Sequence, residues 1–371
     1  MVVEIRNPKF KSIFILNHNF EHNLKVNSKN SKVLIIGGGI AGITAAVALS
    51  RLKIAVTLIE KATALGGMVP NYCCKATDAC QQCGVCLLND SLQALSQASN
   101  VEVHLQTEVT DLTLDANKFL YTFSRPGGGG EGRAEALLLA TGFTPFRAED
   151  KPQYRYGILP NVITGLDLER QLKETGSVVR PSNHTLPTSI AFIQCVGSRD
   201  PHLNHPFCSR VCCAYALRMA NLIKYKNPQT EIAVFYMDIQ TFGKDFSLFM
   251  EKTEKQIRFI RTIPGEIQKG DNDQVWLTFQ DDDGLSSRKQ AFDLAILSVG
   301  IMPGSDLEFF KDKLGLPLNG DGFLSEANEI FSSKGIFLAG TVRGPKGIAG
   351  SITQAYRTAE EVAAYLKTRP V

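Results

Sequence analysis

The sequence lacks the long apolar runs of a membrane protein and the strong charge excess of a nucleic-acid-binding protein. No stretch reaches the roughly 18 apolar residues that a spanning helix needs, and the N-terminus lacks the pattern of a secretory signal. The net charge of +3 is small, and Lys and Arg are dispersed, which argues against an extended nucleic-acid surface. We therefore expect a cytoplasmic protein with no membrane span and no nucleic-acid partner.

What is present is the composition of a globular protein. The 371 residues are 44% hydrophobic and 21% charged, which suits about two domains of ordinary size. Residues 1–30 carry no long periodic pattern and are interpreted as an N-terminal extension.

Cysteine is absent from most of the chain, and all nine cysteines fall in two groups. An odd total, adjacent pairs and a reducing compartment argue against a disulfide framework and for metal or redox chemistry. The first group is Cys73, Cys74, Cys80, Cys83 and Cys86, and the second is Cys195, Cys208, Cys212 and Cys213.

Two β-α-β units are predicted, which makes the fold class α/β. In the first, an apolar strand at Lys32 to Ile36 is followed by a helix at Ile40 to Leu52 and a strand at Ala55 to Ile59. The second unit begins with a strand at Ser189 to Ile193. It continues with a helix around Ala214 to Tyr225 and a strand at Ile232 to Tyr236.

Further strands are expected to complete the two sheets. Val275 to Phe279 and Leu294 to Val299 are assigned to the second sheet. A small β-meander is predicted between Val101 and Phe123, and the glycine-rich stretch from Pro126 to Gly132 is interpreted as a tight or flexible connection. Further strands at Ala136 to Ala140 and Gly335 to Ala339, and a terminal helix at Ser351 to Lys367, are predicted near the ends of the first domain. The predicted domains are 31–150 joined with 301–371, and 151–300.

A dinucleotide fingerprint follows the first strand. Gly37, Gly39 and Gly42 stand at the spacing that makes the tight turn, lets the backbone approach a pyrophosphate, and lets helix pack on strand. Glu60 lies at the end of the second strand, where a carboxylate accepts hydrogen bonds from ribose hydroxyls. A glycine turn without a ligand is the alternative interpretation.

Two later segments, Ala140-Thr-Gly142 and Gly340-Thr341, are similar to the flavin segments of thioredoxin-reductase-like flavoproteins. This resemblance implies FAD in a split Rossmann-type domain, followed by a second, modified Rossmann-type domain. Flavoproteins of this class usually have Asp where this chain has Thr341. The implied FAD-binding residues are Gly37, Gly39, Ile40, Ala41, Gly42, Glu60, Lys61, Gly67, Met68, Val109, Ala140, Thr141, Gly142, Gly340, Thr341, Lys346, Gly347 and Ile348.

The second unit lacks the glycine loop that would hold a nicotinamide dinucleotide. Its first strand ends in Gln194, Cys195 and Val196, and only Gly197 remains. Four thiols stand there instead, the number required for a [4Fe-4S] cluster. Tetrahedral zinc and four inert core cysteines are the competing interpretations, and His202 and His205 are interpreted mainly as solvated or structural.

Cys195-Val-Gly-Ser-Arg199 and Cys208-Ser-Arg-Val-Cys212-Cys213 resemble HdrA, the flavoprotein subunit of heterodisulfide reductase, as does Leu338-Ala-Gly-Thr341. The resemblance covers nearly the whole chain from residue 32. It implies a [4Fe-4S] cluster at Cys195, Cys208, Cys212 and Cys213, partner subunits that carry the sulfur chemistry, and a homodimeric core. Since the ferredoxin modules of methanogen members are absent, the chain looks like the short, HdrA-like form of sulfur-oxidising complexes.

The first cysteine group leaves three alternatives open: a second cluster or metal, a redox dithiol, or inert thiols. The leading function is an oxidoreductase subunit that transfers electrons with FAD and one cluster. The rival is a stand-alone NAD(P)H-dependent disulfide reductase that uses Cys83 and Cys86. A third hypothesis is a non-catalytic scaffold with a structural flavin.

Overall fold

The computed structural model describes residues 32–240, 246–280, 286–325 and 329–368. The predicted extension 1–30 lies outside the described residues. None of the helices in these ranges combines the length and apolar character that a membrane crossing requires.

The elements alternate between strands and helices over most of the chain. The strands are β1 (Lys32–Ile36), β2 (Ala55–Ile59), β3 (Val101–His104), β4 (Glu108–Asp115), β5 (Lys118–Arg125), β6 (Gly128–Ala134), β7 (Ala136–Leu139), β8 (Thr144–Pro145), β9 (Val162–Thr164), β10 (Ser189–Val196), β11 (Glu231–Phe235), β12 (Arg258–Ile260), β13 (Glu266–Lys269), β14 (Val275–Gln280), β15 (Ser287–Phe292), β16 (Leu294–Val299), β17 (Ile301–Met302) and β18 (Ile336–Leu338). The helices are α1 (Ile40–Arg51), α2 (Leu87–Ser96), α3 (Gly165–Thr175), α4 (Cys212–Lys226), α5 (Phe246–Glu254), α6 (Leu307–Leu314), α7 (Glu329–Ser333) and α8 (Ile348–Thr368).

The first sheet has five parallel strands in the order β18-β7-β1-β2-β3. The apolar residues of β1 are buried on both faces, as expected for a central parallel strand. On one face, α1 packs beside α8 through small residues that include Ala45 and Ala359. The other face is covered by the antiparallel sheet β4-β5-β6 and by α6.

The second sheet has five parallel strands in the order β12-β11-β10-β16-β9. The side chains of β10 alternate between two core clusters. Ile190 and Phe192 pack against α3 and α4, whereas Ala191 and Ile193 face a separate antiparallel sheet, β13-β14-β15. The α/β class with two Rossmann-type units is thus confirmed.

Two details of the sequence interpretation were wrong. The glycine-rich connection expected from Pro126 to Gly132 is largely the strand β6, paired with β5 along its whole length. The aromatic rings of β5 explain this, because a Cβ on Gly130 would lie 2.5 Å from the Phe123 ring and one on Gly132 would lie 2.3 Å from the Tyr121 ring. The glycines thus leave room for aromatic side chains that cover the strand.

The second error concerns Val275 to Phe279, which was assigned to the second parallel sheet. This segment is β14, the middle strand of the antiparallel sheet β13-β14-β15. The edge position beside β16 is taken instead by the short strand β9.

Candidate functional site

A cavity of about 780 Å³ opens at the carboxyl ends of the first sheet's strands. Its opposite wall is formed by α3 and α4, which pack on the second sheet. In parallel α/β sheets, ligands bind outside the carboxyl ends of the strands. The cavity is therefore the candidate site.

The glycine turn after β1 forms part of the wall. Gly37 has a φ of +107°, and a Cβ there would lie 2.4 Å from the Ala140 carbonyl oxygen. Gly39 precedes α1, and a Cβ on it would meet only Gly67 Cα, at 3.9 Å. Gly42 faces away from the cavity, because its Cβ would lie 1.9 Å from the Gly37 carbonyl oxygen. Gly37 and Gly42 thus shape the turn, while Gly39 leaves space on the cavity side.

Glu60 is buried and is held by two backbone amides. Its Oε2 accepts a hydrogen bond from Gly38 N at 2.7 Å, and its Oε1 accepts one from Ala62 N at 2.7 Å. Each carboxylate oxygen retains capacity for a second hydrogen bond. The side chain lines the cavity, so it is fixed in position and still able to accept from a ligand.

The chain brings nearly all the residues predicted for FAD to this one cavity. Gly42 is the exception, and it lies under the start of α1. The lining residues from the prediction are Gly37, Gly39, Ile40, Ala41, Glu60, Lys61, Gly67, Met68, Val109, Ala140, Thr141, Gly142, Gly340, Thr341, Lys346, Gly347 and Ile348.

Thr141 supplies a polar atom without a partner. Its hydroxyl is buried and makes no hydrogen bond within the described part of the chain. A buried hydroxyl left unpaired costs about 1–3 kcal/mol. Since Thr141 lines the cavity, a bound polar molecule would relieve this cost.

Lys346 places a cation just before α8. Its Nζ donates to the carbonyl oxygens of Gly340 at 2.7 Å and Gly344 at 3.0 Å. Burial lowers the pKa of Lys346 to about 8, and the nearby charges of Arg343 and Arg210 contribute in the same direction. Together with the positive end of α8, this lysine favours negative charge on a ligand in the cavity.

The second cysteine group lies at the end of β10 and the start of α4. Cys195 adopts a left-handed conformation, with φ of +59°, where the pairing of β10 with β16 is irregular. The Sγ of Cys208 accepts a hydrogen bond from Arg210 N at 3.3 Å. Cys212 and Cys213 are the first two residues of α4 and are buried. Arg210 and Val211, between these thiols, line the cavity.

The thiols of this group influence one another. Burial raises the pKa of Cys195 to about 11, with smaller contributions from Cys213 and Cys208. Burial also raises the pKa values of Cys212 and Cys213. In the described ranges, no set of three or more His, Cys, Asp and Glu side chains already surrounds a point where one metal ion could sit.

The position of a second dinucleotide loop is closed by packing. Gly197 has a φ of +80°, and a Cβ there would lie 2.0 Å from the Phe146 ring. The ring of His205 also contacts Phe146, and its Nδ1 lies 3.1 Å from the Gly197 carbonyl oxygen. His205 therefore has a structural position, and His202 is exposed.

The first cysteine group lies at the wall between the two sheets. Cys83 lines the cavity, Cys73 is buried in the core under the second sheet, and Cys74 and Cys86 are exposed. Burial raises the pKa of Cys73 to about 12, and the charge of Glu169 contributes in the same direction.

A buried ion pair, Lys75 with Glu169, adjoins this group. The two side chains are 3% and 5% exposed, with Nζ and Oε1 2.6 Å apart. Both line the cavity. Their separation of 94 residues in the chain left no sequence signal for this contact.

The fold and the cavity define an α/β oxidoreductase with two Rossmann-type units. Residues 31–181 match the family described as pyridine nucleotide-disulphide oxidoreductase. Thioredoxin reductase from T. acidophilum has a similar fold, with a TM-score of 0.59 and 16% identity over 90% of this chain and 99% of that one. The enzyme from Lactococcus lactis gives 0.60 and 18% over 91% and 99%.

Curated relatives specify the family further. The chain is 29% identical to an iron-sulfur subunit of CoB–CoM heterodisulfide reductase from Methanopyrus kandleri, over 90% of this chain and 64% of the relative. It is 39% identical to the corresponding subunit of H(2):CoB-CoM heterodisulfide,ferredoxin reductase from Methanothermobacter thermautotrophicus, over 61% and 36%. The chain is thus a relative of the HdrA subunit of heterodisulfide reductases, which confirms the predicted resemblance and the oxidoreductase class. It spans less than two thirds of the length of these relatives.

Proposed function

We propose that this chain is an electron-transfer flavoprotein. FAD would bind in the cavity, and a [4Fe-4S] cluster would be held by Cys195, Cys208, Cys212 and Cys213. One observation carries the proposal: the loop and helix start that contain these cysteines form a wall of the cavity that collects the predicted FAD residues.

The cavity fits FAD by three features. Gly39 leaves open space where a pyrophosphate would approach the backbone. Glu60 is held in place by two amides and can accept from a ribose. Thr141 offers an unpaired hydroxyl. When bound, FAD would supply the electron-accepting and electron-donating chemistry, while Lys346 and the start of α8 would stabilise negative charge.

The second cysteine group fits a cluster by its donor chemistry. Four thiols come from β10, the following loop and α4, and the amide of Arg210 already donates to the Cys208 sulfur. Hydrogen bonds to ligating sulfur tune the potential of a cluster. Arg199, paired with Asp238, lies close enough to lower the pKa of Cys195, although burial has the larger and opposite effect.

The wider assignment follows from the relatives. The matched proteins are named as subunits of heterodisulfide reductases, so we propose that this chain also works with partner subunits. We further propose a homodimer, a cytoplasmic location and a role in sulfur oxidation. The division into 31–150 with 301–371, and 151–300, belongs to the same proposal.

The test is cofactor analysis of the full chain purified without oxygen. We expect one FAD per chain and broad iron-sulfur absorption beneath the flavin bands. Replacing Cys212 with serine should remove about four iron atoms and their sulfide per chain, while FAD remains bound. Cys74→Ser, at an exposed position, is the matched control. Full iron and sulfide in any two of the four single variants at Cys195, Cys208, Cys212 and Cys213 would refute the assignment.

A further inference from the structure

Three thiols of the first cysteine group stand at a regular spacing. Cys80, Cys83 and Cys86 are separated by two residues each. This is the C-x₂-C-x₂-C run with which bacterial ferredoxins hold an iron–sulfur cluster. In those proteins the next cysteine, four positions further on, ligates a different cluster, and here that position is Asp90. The run therefore provides three ligands for one cluster and requires a fourth from elsewhere.

The backbone around Cys80 has the same local geometry as that around Cys208. Gln82, two residues after Cys80, has a φ of +52° and donates its N–H to the Cys80 sulfur at 3.4 Å. Arg210, two residues after Cys208, has a φ of +60° and donates its N–H to the Cys208 sulfur at 3.3 Å. Left-handed non-glycine residues are unfavourable, so their recurrence at corresponding places indicates a shared requirement. A donated N–H stabilises sulfur in its thiolate form.

Both groups also end at the start of a helix. Cys86 immediately precedes α2, and Cys212 is the first residue of α4. The N-terminal end of a helix carries partial positive charge, which suits an anionic thiolate-bound cluster. The two groups thus share sulfur hydrogen bonding and helix placement.

A fourth thiol is available from the segment that precedes the run. The side-chain amide of Gln81 donates to the Lys75 carbonyl oxygen at 2.5 Å, which holds the two segments together. Tyr72, Lys75 and Cys83 line the same cavity. Between Tyr72 and Lys75, Cys73 is buried and Cys74 is exposed, so Cys73 is the better-placed ligand.

We propose that Cys73, Cys80, Cys83 and Cys86 bind a second [4Fe-4S] cluster at the wall of the cavity. The thiols do not yet surround one point in the described part of the chain, so their side chains must rotate when the cluster assembles. This site is separate from the cluster of the proposed function and does not depend on it.

The position of this site suits an electron carrier between the cavity and the protein surface. Gln81 exchanges hydrogen bonds with Arg218 of α4, at 2.8 Å and 3.2 Å. Arg218 lies six residues after Cys212, about 9 Å along the helix. The two cysteine groups therefore flank one helix. Cys83 lines the cavity and Cys86 is exposed.

The experiment uses the full chain, reconstituted anaerobically with ferrous iron and sulfide, and measures metals and sulfide per chain. Two clusters predict about eight iron atoms. Cys86→Ser and Cys73→Ser should each lose about half of the iron, with FAD content and thermal unfolding unchanged. The control Cys74→Ser should keep all of it.

The outcomes separate the two sites. Loss of half the iron in Cys212→Ser alone would support the first cluster and overturn the second. About four iron atoms in the unmodified protein, zinc in place of iron, or full iron in Cys86→Ser would also overturn this proposal. Full iron in Cys73→Ser would overturn the choice of fourth ligand. If a variant does not fold, the iron content of the unmodified protein still decides.

Discussion

Replacing Gly39 with valine should abolish FAD binding and leave the fold intact. Gly39 has a φ of −74° and a ψ of −178°, which valine adopts readily, and it makes no side-chain cap for α1. The nearest atom to an added Cβ is Gly67 Cα, at 3.9 Å, an ordinary contact. We therefore expect the free energy of unfolding without FAD to change by less than about 1 kcal/mol.

The valine should instead occupy the space that a pyrophosphate needs. Overpacking costs about 1–3 kcal/mol, and each lost hydrogen bond to a charged group costs about 1.5–3 kcal/mol. A combined loss of about 3 to 4 kcal/mol weakens binding more than a hundredfold. The desalted variant should be colourless in the flavin region, and its Tm should not rise with added FAD.

Two controls make the result interpretable. At Gly265 an added Cβ meets nothing within 4 Å, so Gly265→Val should bind FAD normally. Gly42→Ala should destabilise the protein with or without FAD, because its Cβ would lie 1.9 Å from the Gly37 carbonyl oxygen. Normal FAD content in folded Gly39→Val would refute the assigned role of this turn.

Two further predictions concern the opposite wall. Lys75→Met should lower the free energy of unfolding by about 3–5 kcal/mol, because it leaves Glu169 buried without its cation; Lys255→Met, which removes an exposed ion pair, should change it by less than about 0.5 kcal/mol in the same urea titration. NADH and NADPH should not reduce the flavin at a useful rate, because Phe146 covers Gly197 where a phosphate would have to approach. Complete anaerobic bleaching within seconds would contradict this second expectation.

The parallel sheets were predictable because their strands are apolar on both faces. Strands such as β1 and β16 read as continuous hydrophobic runs, which few other structures produce. By contrast, β14 buries Val275, Leu277 and Phe279 and leaves the residues between them more exposed. That alternation is typical of an antiparallel sheet with one exposed face, and it was the signal that the assignment to the parallel sheet overlooked.

The glycine-rich strand β6 could not be recognised from its own residues. Glycine weakens a strand in isolation, and here the strand is stabilised by rings on its neighbour, Tyr121 and Phe123. Only the pairing of β5 with β6 supplies this information. Local composition therefore gave the wrong answer for a physical reason, since the stabilising groups belong to another segment.

Sequence patterns indicated the candidate site well on one wall and poorly on the other. The first wall is built from glycine turns at strand ends, whose spacing is visible in the chain. The second wall depends on Lys75 and Glu169, which are 94 residues apart, and on the contact between Gln81 and Arg218, 137 residues apart. The regular spacing of Cys80, Cys83 and Cys86 was visible but became informative only when the backbone around Cys80 matched that around Cys208.

The loop that carries the first cysteine group is positioned by the helices of the second sheet. Lys75 pairs with Glu169 on α3, and Gln81 bonds to Arg218 on α4. Lys173 on α3 also donates to the Pro70 carbonyl oxygen. A redox site needs ligands held in fixed positions by surrounding contacts, and a loop alone supplies few. Because α4 also begins with Cys212 and Cys213, both cysteine groups share one rigid support, and their separation should not vary as the loop moves.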